Sequence, residues 1–162
     1  MTRPVLTHPS WNDISIGTAI IATKALRHRA LIDWVVGLTR GGLIPAVLFS
    51  HIWNIPMMPV NYSSPEGVGD NKNHSNQLPD IHFPKGTHFH EGVDPGLPSL
   101  LLMDDICDSG HTLDDVRCHY GKQGYRVWTA ALYSKEGASL IPDFTWRIIP
   151  VDSPWIQFPW EV

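Results

Sequence analysis

At 162 residues the chain is long enough for one hydrophobic core and short for two. Its formal net charge of −4 weighs against a general nucleic-acid or membrane-surface binder, which would carry a basic patch, although a local basic pocket stays compatible with that sum. Hydrophobic residues at 43% and charged residues at 17% exclude a disordered chain. Cys107 and Cys118 are the two cysteines and form no CxxC, so neither a disulfide framework nor a thiolate zinc site is expected. The opening "MTRPVLTHPSW" has no apolar core of signal-peptide length, and no stretch approaches a membrane span. The expectation is a soluble, cytoplasmic protein with reduced thiols.

In chain order, Ser10 followed by Asp13 marks a helix start, and Ile14, Gly17, Ile21 and Ala25 recur at helical spacing behind it. "DWVVGL" (33–38) has strand length and runs into "TRGG" (39–42). "LIPAVLFSHIW" (43–53) reads as a helix, with Pro45 tolerable only in its first turn. "IPMMPVNY" (55–62) is the next strand. From Ser63 to Pro98 the pattern dissolves into glycine, proline, asparagine and histidine, and a loop of that length suggests an active-site lid holding a short strand or hairpin near 81–83. "SLLLM" (99–103) is the clearest buried strand. Leu113, Val116 and Tyr120 then mark one face of a helix that Gly121 and Gly124 bring to an end. "YRVWTAALY" (125–133) and "TWRIIP" (145–150) supply two more strands.

Strand–helix alternation of this kind implies an α/β fold with a mostly parallel sheet, in one domain spanning 1–162. The glycine-bearing turns 39–42 and 104–112 would both follow strands and precede helices. Ligands bind such sheets beyond the carboxyl ends of the strands, so both turns should share one edge.

The second turn, "DDICDSGHT" (104–112), carries the most chemistry. Residues 108–112 lead into a helix N-terminus, where backbone N–H groups and the helix dipole favour an anion. Ser109 and Thr112 add hydroxyl donors, and Gly110 allows close backbone approach. Asp104 and Asp105 are suited to accept from vicinal hydroxyls or to bind hydrated magnesium. Phosphate, diol and metal together describe a phosphorylated ribose.

"LLMDDICDSGHT" (101–112) resembles the 5-phosphoribosyl-1-pyrophosphate (PRPP) motif of type I phosphoribosyltransferases: hydrophobic strand, two acids, two spacers, Asp, Ser or Thr, Gly, any residue, Thr. Three further segments resemble that family in order. "TRGGLIPA" (39–46) is similar to its pyrophosphate loop, where Arg40 and the backbone of Thr39, Gly41 and Gly42 would face the leaving group; the resemblance implies a cis peptide between Thr39 and Arg40. Taken alone, "RGG" would read as an ordinary tight turn. "LYSKEG" (132–137) resembles the strand end that presents a purine-contacting lysine, here Lys135, which by itself would read as a surface lysine. "DSPWIQFPWEV" (152–162) resembles the C-terminal hood of the xanthine-guanine branch, with Trp155 stacking on the purine and the backbone near Ile156 and Glu161 reading its ring N–H groups.

The family implies a type I phosphoribosyltransferase fold with a lid (63–98) and a hood (151–162), acting on PRPP and a 6-oxopurine to give a nucleoside 5′-monophosphate and pyrophosphate. It implies Mg2+ held at Asp104 and Asp105. PRPP contacts would come from Thr39–Gly42, Asp104, Asp105 and Asp108–Thr112, including His111. Asp108 would be the general base at N7, Arg40 would face the departing charge, and Lys72 would be the lid's catalytic cation. It also implies a homo-dimer or homo-tetramer, with no nucleic-acid or membrane partner. The sequence departs from the pattern at His111, where the family has a small residue, at Gln157, where the bacterial enzyme has an acid, and in a longer, histidine-rich lid.

Two other functions fit the same motif. One is a phosphoribosyltransferase for a different base, and the other is a non-catalytic PRPP-sensing regulator. His74, His82, His88 and His90 also raise a metal site, but without nearby cysteines they read as a solvated loop.

Overall fold

The computed structural model describes residues 8–62, 78–81 and 98–161. The elements run α1 (Trp11–Arg27), β1 (Trp34–Leu38), α2 (Leu43–Trp53), β2 (Met57–Val60), β3 (Ser99–Cys107), α3 (His111–Lys122), β4 (Arg126–Lys135) and β5 (Phe144–Ile149). The strands form one sheet in the order β2-β1-β3-β4-β5, and every neighbouring pair is parallel. Pro59 in β2 fits this order, because β2 is an edge strand and proline offers no ladder donor.

β3 is the central strand, and its unbroken apolar run follows from burial on both faces. Leu101 and Met103 pack with Ile14 and Ile21 of α1 and Phe49 of α2. Leu100 and Leu102 pack with Leu113, Val116 and Tyr120 of α3 on the other side. The helical positions expected to be apolar, Ile14, Gly17, Ile21 and Ala25, are buried as the spacing implied.

Two details differ from the sequence reading. β3 runs on to Cys107, so Asp104 and Asp105 lie in the strand rather than in the turn after it; pairing to β4 continues through Asp104↔Ala131, Ile106↔Tyr133 and Cys107↔Ser134. Ladder hydrogen bonds hold backbone regardless of side-chain polarity, and that overrides the low strand preference of aspartate. α3 passes through Gly121, and Gly124, at φ 96°, is the residue that turns the chain. The short strand or hairpin expected near 81–83 lies largely outside the described residues, and residues 78–81 carry no regular element. Leu78 and Ile81 are buried beside α3, where Tyr120 Oη donates to the Pro79 carbonyl (3.1 Å) and Tyr125 Oη to that of Ile81 (3.3 Å).

The link from β4 to β5 is short for a parallel connection, because β5 begins only halfway along β4, with Phe144 opposite Ala130. Residues 136–143 therefore cross near the carboxyl edge, and Leu140 packs into the α3-side core.

α1 starts with a complete capping box. Ser10 Oγ accepts from the Asp13 amide, and the Asp13 carboxylate accepts from the Ser10 amide (2.8 Å). Replacing a capping serine removes one partner of an orphan helix donor, so Ser10→Ala should cost about 1 kcal/mol. Urea unfolding would show a lower midpoint with an unchanged slope.

Candidate active site

The carboxyl ends of β1 and β3 lie side by side, and each strand passes directly into a helix through a glycine-bearing loop. In the first loop the Thr39–Arg40 peptide is cis. The carbonyls of Arg40, Gly41 and Gly42 accept from the amides of Leu43, Ile44 and Ala46, so the chain turns straight into α2. Thr39 is held to β2 by its amide to the Val60 carbonyl (2.9 Å) and by its hydroxyl to Asn61 Oδ1 (2.9 Å). Asn61 went unnoticed in the sequence, where it stood inside the strand expected over 55–62. Arg40 is exposed.

Gly41 and Gly42 are fixed by space. A Cβ on Gly41 would enter the Asp105 carboxylate, and one on Gly42 would strike the backbone of Leu38, Met103 and Asp104. The first loop thus rests on the acidic end of β3. Asp104 meanwhile lines a shallow cleft with Asp108, Ser109, Gly110 and Thr112 at the start of α3. The two acids stand between the two loops.

Their charges are poorly tolerated in the resting protein. Burial, reinforced by the neighbouring Asp105 carboxylate, holds Asp104 well above the usual carboxylate range. Burial also raises Asp105, with Glu161 of the C-terminal segment adding repulsion, against hydrogen bonds from Asp104 and from the Ile106 amide that favour its charged form. Burial thus disfavours charge on both acids, most of all on Asp104, and a cation or hydroxyl donors beside them would offset that cost. Burial likewise pushes the Cys107 thiol up to about 11, and that thiol donates to the Leu140 carbonyl (3.2 Å), which makes it a packed group rather than a nucleophile.

Beyond the strand, Asp108 is exposed and its Oδ1 lies 2.7 Å from Lys135 Nζ, an ion pair between the ends of β3 and β4. Register explains it, since Cys107 is paired with Ser134 one residue earlier. Gly110, at φ 89°, precedes α3, and the His111 amide approaches Ser109 Oγ (3.4 Å). His111 takes the first helical position.

The C-terminal segment is fastened by aromatic rings. Trp160 meets Trp11 of α1 (5.9 Å between centroids) and stacks on Phe158 (4.7 Å), which meets Tyr133 of β4 edge-on (5.8 Å). Ile156 is buried, and Trp155 is left half exposed. Gln157 Nε2 donates to the Glu161 carbonyl (3.0 Å), and the Glu161 carboxylate accepts from the Phe158 amide (3.2 Å). A carboxylate at 157 could not make the first of these bonds, which accounts for glutamine there. Lys72 and the four loop histidines lie outside the described residues. Among the described residues no helix is long and apolar enough to cross a membrane, and no group of three or more potential ligands forms a metal cluster.

No family model matches the chain. Individual proteins do. It is 30% identical over 144 residues to xanthine-guanine phosphoribosyltransferase of Chromohalobacter salexigens, covering 86% of this chain and 76% of that protein. To the protein of that name from Cereibacter sphaeroides it is 31% identical over 130 residues, covering 79% and 68%. A purine phosphoribosyltransferase structure from Pyrococcus horikoshii superposes with a TM-score of 0.70 at 26% identity, over 96% of this chain and 94% of that one. With these similarities on a five-stranded parallel sheet flanked by helices, the chain belongs to the type I phosphoribosyltransferase family. Within it the similarity runs to the purine enzymes, at the distance of the xanthine-guanine relatives.

The half-buried acid pair has a pH signature. A carboxyl whose folded pKa lies above its unfolded value binds more protons in the folded state, so stability falls as pH rises from about 4 through the folded pKa. Asp104→Asn should therefore raise the melting temperature at pH 8, with the gain shrinking toward pH 4. Melting scans of both proteins across that range check the sign.

Proposed function

We propose that the chain transfers the 5-phosphoribosyl group of PRPP to a 6-oxopurine (guanine, xanthine or hypoxanthine), giving the nucleoside 5′-monophosphate and pyrophosphate in purine salvage. The observation that carries this reading is the Lys135–Asp108 pair, 2.7 Å apart beside the phosphate turn. An ammonium donor next to a carboxylate acceptor complements the O6 and N7–H edge of an oxopurine, whereas the 6-amino group of adenine would meet the ammonium donor to donor.

In this mechanism the 5′-phosphate sits on Ser109–Thr112 at the start of α3, with His111 at the rim. Asp104 and Asp105 take the ribose hydroxyls. Their oxygens are the hard donors that Mg2+ prefers, and Mg2+ when bound neutralises charge on pyrophosphate. Arg40 and the backbone of Thr39, Gly41 and Gly42 bind the leaving pyrophosphate as the anomeric carbon gains positive character. Asp108 removes the N7 proton, and Lys135 holds O6. Trp155 stacks on the base, worth roughly 1–3 kcal/mol, with the backbone near Ile156 and Glu161 at the ring N–H groups. Lys72 serves as the further cation, and the protein works in the cytoplasm as a homo-dimer or homo-tetramer.

The test is pyrophosphate release from magnesium–PRPP with guanine, xanthine, hypoxanthine, adenine, orotate and uracil in turn. Turnover confined to the first three is expected. Turnover with adenine or a pyrimidine would favour an enzyme for another base, and PRPP binding with no release would favour a regulator. Asp108→Asn should lower kcat by roughly 10²–10⁴, the usual worth of a general base, with little change in KM for PRPP. Equal turnover by wild type and variant would remove Asp108 from that role.

A further inference from the structure

The segment that follows Lys135 runs back along the phosphate turn and is bonded to it at several points. Ser139 donates twice to the Ser109 carbonyl, from its amide (2.7 Å) and from its hydroxyl (2.8 Å). Next to it, the Leu140 carbonyl accepts from the Cys107 thiol (3.2 Å), and a Cβ on Gly110 would lie 2.5 Å from the Leu140 amide nitrogen.

In a trans peptide the C=O and the following N–H point in opposite directions. Fixing the Ser109 oxygen toward Ser139 therefore turns the Gly110 N–H the other way. Glycine populates both signs of φ, so the Ser109–Gly110 peptide is the one in this turn most able to flip. A flipped peptide would present a carbonyl oxygen where the mechanism needs a donor, and an anion would meet partial negative charge.

We propose that Ser139 is a positioning residue for the phosphate turn, holding the Ser109–Gly110 peptide in its anion-binding orientation. This rests on the function proposed above, in which the turn binds the 5′-phosphate. Ser139 does not touch the substrate; it acts through the Ser109 carbonyl. The same segment carries Lys135 at its start, so one stretch of chain serves both the base and the phosphate.

The experiment is calorimetric titration with ribose 5-phosphate of wild type, Ser139→Ala and Ser139→Thr, alongside KM and kcat with magnesium–PRPP. Losing one neutral hydrogen bond predicts about fivefold weaker ribose 5-phosphate binding and a matching rise in KM for PRPP in Ser139→Ala. The kcat, the KM for the purine and the melting temperature should stay near wild type. Threonine keeps the hydroxyl and should restore binding. Equal affinity in wild type and Ser139→Ala, or a threonine variant as weak as alanine, would overturn the role of Ser139 and leave the proposed function standing. A wild type that does not bind ribose 5-phosphate would overturn both.

Discussion

Parallel pairing of β3 between β1 and β4 is the constraint on which the rest of the structure depends. Parallel neighbours end on the same edge, so the loops after β1 and β3 are placed together by the sheet itself. β3 is also longer than β1, and its extension beyond Met103 begins with two acids, Asp104 and Asp105. Asp105 lies against Gly41 and Asp104 lines the cleft at the start of α3, so the two glycine-bearing loops flank the carboxylates. Any side chain at Gly41 or Gly42 would force these layers apart.

The electrostatics of this edge disfavour charge on its two acids. Burial raises both acids, and the Asp105 carboxylate adds to the shift of Asp104, so charge on this pair does not favour folding. The Lys135–Asp108 pair has an exposed carboxylate, and pairs of that kind contribute only about 0–1 kcal/mol. Under the proposed function, an incoming base would exchange partners with it at small cost. The aromatic chain from Trp11 through Trp160 and Phe158 to Tyr133 supplies the opposite property, a rigid mount for the segment that carries Trp155.

Much of this was legible in the sequence where local physics decides. The capping box at Ser10, the apolar spacing of α1 and the continuous run of β3 each reflect forces acting within a few residues. So did the acidic motif, whose residue order encodes a strand, a turn and a helix start. What was not legible depends on distant partners. The extension of β3 through Asp104 and Asp105 needs β4 beside it, and the bond from Thr39 to Asn61 needs the edge strand. The attachment of Ser139 to Ser109 spans thirty positions, and no pattern near either serine announces it. Gln157 looked like a lost acid in the sequence. Its bond to the Glu161 carbonyl shows a glutamine in structural use.

The central claim is that two backbone loops, one on each side of an acidic strand end, receive a single ligand. Hydrogen exchange of the backbone amides at 39–42 and 109–113, with and without magnesium–PRPP, tests it most directly. The account predicts slowed exchange in both segments together when magnesium–PRPP is added, and in neither with magnesium alone. Slowing in one segment without the other, or in neither, would contradict it.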